Sequence, residues 1–238
     1  QYIRKTGRDI SRWSVEMVFS MGEALPQETY DLTKELFGFS PVRSYGNNEN
    51  GFIAIQLDED PEYTVDLYNF YPEILKLDSD EPAEPGELGR IVITDLYNYA
   101  FPILRYDNGD TAVAQRKEKD GRYKLYLTEL YGRRSDLIYD CKGKAVTPYI
   151  ITNNLWDIKG VKQYRFIQED LTKYTIWLNG NPEEMDREEI LGRIRPYLGE
   201  EAEITVELVD EIPVLASGKR KYIENRCEQY KNRTGFCG

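Results

Sequence analysis

The stretch from Phe101 to Gly143 limits the fold more than any other part of the chain. Its opening, Phe101-Pro102-Ile103-Leu104-Arg105-Tyr106-Asp107-Asn108-Gly109-Asp110, breaks two short apolar runs with Pro102 and with Asn108-Gly109. Such punctuation predicts strand, tight turn, strand. A polar, β-like segment follows and ends on Gly132-Arg133-Arg134-Ser135-Asp136-Leu137-Ile138. Asp110 comes after a glycine-bearing turn, where a carboxylate can face the paired hydroxyls of a ligand. Arg133 comes after a second glycine, where a guanidinium fork can grip carboxylate, phosphate or ribose oxygens. Taken singly, Gly-Asp and Gly-Arg pairs are ordinary surface turns, so these residues are candidates only as a set.

Upstream, the apolar run Ser14 to Met21 predicts a buried strand, followed by Gly22-Glu23. Pro26 is placed to begin a helix and Gly38 to end one. Thr29, Leu32 and Leu36 fall on one face at helical spacing. Phe39 to Ser44 reads as the next strand. Strand, helix, strand implies a crossover in a largely parallel sheet, whose ligands bind at the carboxyl ends of strands. Gly22-Glu23 and Tyr45-Gly46 fall at such ends. Asn47, Asn48 and Gly51 also suit a plain turn. Phe52 to Leu57, Tyr68 to Leu77 and Gly89 to Leu96 read as strands, the last two flanking an acidic, proline-containing surface loop, and Tyr123 to Leu130 as another.

Beyond Gly132 the pattern becomes a small α+β unit. Leu137 to Tyr139 predicts a short strand, Lys142-Gly143-Lys144 a turn, and Thr147-Pro148 a helix start whose face continues through Ile151, Asn154 and Leu155. Val161 to Gln168 and Tyr174 to Asn179 read as strands, and Asn181-Pro182-Glu183-Glu184 as the opening of a helix with Leu191, Ile194 and Leu198 as its core stripe. Ile204, Val206 and Leu208 alternate in a last strand, and Lys219 to Lys231 reads as a terminal helix. The expected organisation is α/β and α+β: the trailing part of a large domain over 1–131, then a small mobile α+β domain over 132–238, joined near Gly132 to Asp136.

Composition narrows the chemistry. The 238 residues carry a net charge of −11, which disfavours a nucleic-acid binder. At 31% charged and a mean hydropathy of −0.63, with no run near the roughly 20 apolar residues of a spanning helix, the expectation is a soluble chain with no membrane partner. Histidine is absent, which removes His-dependent triads and His metal ligation within this chain. Cys141, Cys227 and Cys237 form no Cys-x-x-Cys pair; the odd count and wide spacing fit a reduced cytoplasm. The chain opens on Gln1 rather than Met, so a fragment of a longer polypeptide is expected.

Four blocks then stand in order: Tyr45-Gly46-Asn47-Asn48-Glu49, Tyr106-Asp107-Asn108-Gly109-Asp110, Gly132-Arg133-Arg134-Ser135-Asp136 and Ser217-Gly218-Lys219. The set resembles the Tyr-Gly-x-x-Glu, Tyr-x-x-Gly-Asp, Gly-Arg-x-x-Asp and Ser-Gly-Lys signatures of the adenylate-forming superfamily, nearest its phenylacetate-CoA ligase and capsular-polysaccharide branches. The resemblance implies ATP-dependent activation of a carboxylate to an acyl-adenylate, then displacement of AMP by a thiol such as coenzyme A. It implies adenine recognition near Gly22, Glu23 and Tyr45, with Gly46 and Asn48 beside the nucleotide. It implies Mg²⁺ at Glu49, ribose at Asp110, ribose or phosphate at Arg133, and Lys219 between the substrate carboxylate and the α-phosphate. A single carboxylate suits Mg²⁺, which takes few protein ligands.

Departures are informative. Asn48 stands where the family has Thr or Ser, and Ser135, with Asp136 next to it, where the family has an Asp or Lys hinge. No Ser/Thr/Gly-rich phosphate loop lies between Gln1 and Met21, and the cysteine-rich insert of some phenylacetate ligases is absent. Three readings compete: the C-terminal portion of an AMP-forming ligase, a non-catalytic nucleotide-binding module, and a scaffold of a polysaccharide pathway. Glu49 and Lys219 together favour the first, because a bare nucleotide clamp needs neither.

Overall fold

The computed structural model describes the chain apart from residues 1–2, 4–5, 23–24, 58–59, 61, 120, 215–219 and 232–238. The chain divides into two compact units, residues 1–63 and 64–238.

In the first unit, β1 (Phe19–Ser20) pairs in parallel with β2 (Val42–Asn47), and α1 (Gln27–Phe37) connects them. The strand–helix–strand order is as read from sequence, but the expected buried strand from Ser14 to Met21 is not. Only two residues enter the ladder, and Met17, Phe19 and Met21 are 57%, 55% and 64% exposed. Pro26 precedes α1 and Gly38 ends it in the left-handed conformation, its N–H donating to the Lys34 carbonyl. Tyr30 and Leu32 are buried, whereas Thr29, expected beside Leu32, faces solvent. The Arg43 guanidinium lies 4.3 Å from the Tyr30 ring centre, which makes Tyr30 the inner edge of the helix. β3 (Gly51–Gln56) returns antiparallel to β2 and buries Ile53 and Ala54.

The unit boundary falls in the short strand β4 (Tyr63–Val65). The second unit opens with a four-stranded antiparallel run, β5 (Phe70–Leu75), β6 (Leu88–Asp95), β7 (Tyr106–Lys119) and β8 (Arg122–Arg133). The acidic loop joins β5 to β6 as expected. Asn108-Gly109 does not separate two strands. β7 runs through it, and the β6 register passes from Arg90↔Thr111 to Val92↔Asp107, so Ile91 faces the three residues 108–110. The sequence signal for a turn was real, but the flanking residues keep their ladder bonds, and the extra length is absorbed as a bulge.

After a 3₁₀ turn (Arg134–Asp136) come the hairpin β9 (Ile138–Tyr139) and β10 (Ala145–Val146), then α2 (Pro148–Leu155). A second sheet runs in the order β13-β12-β11-β14, built from β11 (Val161–Gln168), β12 (Lys173–Gly180), β13 (Glu203–Leu208) and β14 (Ile223–Asn225), with α3 (Arg187–Leu198) between β12 and β13. Tyr164 and Phe166 of β11 and Tyr174, Ile176 and Leu178 of β12 share one core with Ile151 and Leu155 of α2 and Ile190, Ile194 and Leu198 of α3. Period two on the strands and period near 3.6 on the helices thus converge on one face.

Three expectations here are corrected. Asn181-Pro182 opens only a 3₁₀ turn (Pro182–Glu184); α3 begins after Asp186, whose carboxylate accepts from the Glu188 and Glu189 N–H groups at 2.9 and 3.2 Å. That later start puts Ile190 rather than Leu191 in the stripe. Lys219 to Lys231 is not one helix, because Ile223–Asn225 pairs in parallel with β11 and buries Ile223, leaving α4 (Glu228–Lys231) as a single turn.

Between the two sheets of this unit, Val113 and Tyr131 pack with Leu137, Tyr139, Cys227 and Tyr230. The Tyr139 and Tyr230 rings stack with centres 3.8 Å apart. Tyr131 donates to Glu129 at 2.7 Å, and Tyr174 to the Tyr139 carbonyl at 2.8 Å. Burial first, and then the Glu129 carboxylate, pushes the Tyr131 hydroxyl well above the ordinary tyrosine range; burial and then Cys141 do the same to Tyr174. A raised folded-state value means this stability is complete below the unfolded tyrosine value near about 10 and is lost as pH climbs above it. In an alkaline titration, some of the 19 tyrosines are therefore expected to ionise only as the circular dichroism signal collapses. Ionisation of all of them near their ordinary value, with the fold intact, would contradict this packing.

Candidate functional site

The central pair is set by strand register. Asp110 on β7 and Arg133 on β8 are direct cross-strand partners, followed by Thr111 opposite Gly132. Thr111 is fully buried, and its hydroxyl donates to the Gly132 carbonyl at 3.0 Å. Asp110 is half-buried and Arg133 exposed. Two motifs far apart in sequence therefore present a carboxylate and a guanidinium side by side at the end of one hairpin.

The bulge explains how Asp110 is held. Gly109 has φ +82°, a left-handed conformation that side-chain-bearing residues adopt at a cost. Its N–H donates to Asp107 Oδ1 at 3.1 Å, and the Asp110 N–H donates to Asn108 Oδ1 at 3.0 Å. Two side chains thus satisfy two backbone donors of the bulge. The other oxygen of Asp107 accepts from Arg90 Nη1 at 3.0 Å and lies 3.4 Å from Arg134 Nη2. Arg90 also pairs with Asp80 and donates to the Lys76 and Ser79 carbonyls, each at 3.2 Å.

Sequence reading overlooked Asp107, Arg90 and Arg134. No local signal marked them: Arg133 ends β8 and Arg134 begins the 3₁₀ turn, so strand alternation does not tell which of the two arginines faces inward. Arg134 is the inward one, at 7% exposure. Just upstream, Arg105 adopts φ 48° and pairs with Glu73 at 3.0 Å. Tyr149 of α2 lies against Gly132, its hydroxyl 3.2 Å from the place a Cβ would occupy there.

The remaining candidates in the first unit cluster on the β2–β3 hairpin. Asn48, Glu49 and Asn50 form its turn, with Asn47 opposite Gly51 and the Asn50 N–H bound to Asn47 Oδ1 at 2.7 Å. Asn48 and Glu49 are exposed at the tip. Tyr45 lies inside β2 rather than beyond its end, opposite Ala54, and is only 7% exposed. Gly46 lies at a register shift, where a Cβ would come within 2.0 Å of the Gly51 carbonyl oxygen. Gly22 is exposed past the end of β1, at φ +90°. Glu23 and Lys219, with Ser217 and Gly218, lie outside the described residues, as does Cys237. Cys141 and Cys227 are buried. The described residues on either side of the Lys219 segment are tied to β11, since Arg165 donates to the Pro213 carbonyl at 2.7 Å and to the Lys221 carbonyl at 3.1 Å. Among the described residues no three or more Asp, Glu, Cys or His side chains gather as a metal cluster, and no helix is long and apolar enough to cross a membrane.

Comparison with known proteins bears on the fold. Residues 138–226 match the CapK C-terminal domain. A phenylacetate-coenzyme A ligase of Thermus thermophilus is 34% identical over 71 residues, 29% of this chain and 16% of that protein. The fold matches an open-conformation structure of 2-hydroxyisobutyryl-CoA ligase in complex with 2-HIB-AMP and CoA (TM-score 0.63, 17% identity, 93% of this chain and 52% of that one). It also matches an anthranilate CoA ligase in complex with anthranoyl-AMP (TM-score 0.59, 18% identity, 90% and 44%). The chain thus has the mixed α/β fold of the C-terminal part of adenylate-forming ligases, with its sequence likeness on the phenylacetate-CoA ligase and CapK side. It spans about half the length of the solved structures it matches and far less of the curated relative.

Gly46→Ala is expected to destabilise the first unit by roughly 1–3 kcal/mol, because the new methyl meets backbone rather than a flexible side chain. Thermal denaturation checks this; an unchanged melting temperature would mean the hairpin is more open than its register implies.

Proposed function

We propose that this chain is the C-terminal portion of an AMP-forming ligase that activates a carboxylate with ATP and passes the acyl group to a thiol such as coenzyme A. The observation that carries the reading is the cross-strand pairing of Asp110 with Arg133, in a fold otherwise met in CoA ligases. A half-buried carboxylate accepts hydrogen bonds from two vicinal hydroxyls, and an adjacent exposed guanidinium donates to ribose or phosphate oxygens. That donor and acceptor set fits the ribose of AMP.

The hairpin of the first unit carries a separate part of the proposal. Glu49, exposed at its tip, offers the hard oxygen ligand that Mg²⁺ prefers, and Asn48 beside it offers an amide donor for a phosphate oxygen. Bound Mg²⁺ would offset charge on the phosphates. Tyr45, Gly46, Gly22 and Glu23 are assigned to the adenine side. Lys219 is assigned to the charge shared by the attacking carboxylate and the α-phosphate. The protein's task in such a reaction is positioning and electrostatic stabilisation rather than covalent chemistry. The small domain is assigned to 132–238 and the preceding part to 1–131, with Ser135 or Asp136 as the residue about which the small domain turns. A cytoplasmic location belongs to the same reading.

The CapK match supports a second reading, a non-catalytic nucleotide-binding module of a polysaccharide pathway. Both readings expect AMP to bind. Calorimetric titration of AMP is expected to show roughly ten- to a hundredfold weaker binding by Asp110→Ala, the loss of hydrogen bonds to a charged group. Equal affinity for variant and wild type would remove Asp110 from the site.

The two readings separate at adenylation. In the full-length polypeptide, Lys219→Ala is expected to slow adenylation by roughly 10²–10³, or about 2.7–4 kcal/mol, the typical cost of one such donor. Transfer from a preformed acyl-adenylate to thiol is expected to survive, because the turning small domain moves Lys219 away for that step. Unchanged adenylation, or an equal fall in both half-reactions, makes Lys219 a solvated turn residue with no part in the chemistry; no adenylation by the unmutated full-length polypeptide favours the binding module.

A further inference from the structure

We propose that Asp107 is the positioning residue of the nucleotide site: its carboxylate fixes where Asp110 and Arg133 stand relative to each other. The proposal rests on the reading of Asp110 and Arg133 as the ribose clamp and adds the group that sets their geometry.

Three observations meet at this one side chain. Asp107 Oδ1 accepts the Gly109 N–H at 3.1 Å, so it holds the bulge whose last residue is Asp110. Asp107 Oδ2 is 3.4 Å from Arg134 Nη2, so it holds the residue directly after Arg133 as β8 passes into the 3₁₀ turn. The same oxygen accepts from Arg90 Nη1 at 3.0 Å, and Arg90 is anchored in turn to the β5–β6 loop through Asp80 and the Ser79 carbonyl. Arg90 and Arg134 have side chains only 12% and 8% exposed, so both guanidinium groups are largely removed from water. Taking Asp107 away leaves two crowded cations next to each other, and side chains so placed move apart.

A bulge by itself is loose, because its extra residues make no ladder bonds. Here that looseness lies beside the carboxylate assigned to the ribose. Asp107 removes it from both sides: one oxygen orders the backbone leading to Asp110, and the other clamps the chain leaving Arg133. Asn108 finishes the arrangement by taking the Asp110 N–H at 3.0 Å. Asp107 itself is 28% exposed at its side chain and touches no ligand in this scheme; it acts through its neighbours.

A double-mutant cycle on AMP affinity, measured calorimetrically on the full chain, tests the inference. Asp107→Asn is nearly isosteric and keeps an acceptor for Gly109 while losing the charge that holds both arginines. It is expected to weaken AMP binding roughly three- to thirtyfold in the wild-type background, and to add a clearly smaller further loss in the Asp110→Ala background, where only Arg133 is left to misplace, because coupled residues are not additive. Independent, multiplying losses, or wild-type affinity in Asp107→Asn with Asp110→Ala impaired, would overturn it. Wild-type affinity in Asp110→Ala would instead sink the ribose-clamp reading, and the proposal with it. Should Asp107→Asn not fold, Asp107→Glu takes its place. It keeps both ion pairs and lengthens the arm, so it is expected to retain the melting temperature while losing AMP affinity; retention of both would count against Asp107.

Discussion

The register of one hairpin underlies the candidate site of the second unit. β7 and β8 form a long ladder, and at its end that ladder brings Asp110 opposite Arg133 and Thr111 opposite Gly132. A slip of one residue would turn every side chain on one strand to the other face and separate the pair. Two features hold the register: the wholly buried Thr111, bonded to the Gly132 carbonyl, and the ion pair of Asp107 with Arg134; the bulge of residues 108–110 belongs to the β6–β7 pairing on the other edge of β7. The turn at Arg134–Asp136 leads from this ladder into the β9–β10 hairpin and α2, and from there into the second sheet.

Both fold and site were partly legible in the sequence. Strands with strict alternation, such as Tyr174, Ile176 and Leu178, were readable because period two has one structural meaning when one face is covered by helices. Ser14 to Met21 misled for the opposite reason. An apolar run alone carries no information about whether a partner covers it, and there the ladder is two residues long. The terminal segment misled because helical propensity around Lys219 to Lys231 lost to a tertiary demand: Ile223 completes the core beside β11.

In the candidate site, Asp110 and Arg133 stood out only as members of an ordered set of motifs, and nothing local revealed that they are cross-strand partners. Register is a long-range property, and on the β6 side of β7 a bulge absorbs what sequence alone makes look like a turn. The supporting charges were less visible still. Arg90, Asp107 and Arg134 come from three strands or their ends, and their meeting depends on that same register. Gly46 illustrates the reverse case: its requirement for a missing side chain arises from a backbone oxygen five residues away across a hairpin.

The central claim is that the Asp110–Arg133 end of the β7–β8 hairpin holds the ribose of an adenine nucleotide. The most direct measurement is the amide spectrum of isotope-labelled protein during titration with AMP. The account predicts saturable shifts concentrated at Gly109, Asp110, Thr111, Gly132 and Arg133. Saturable binding that leaves those five amides unmoved would contradict it.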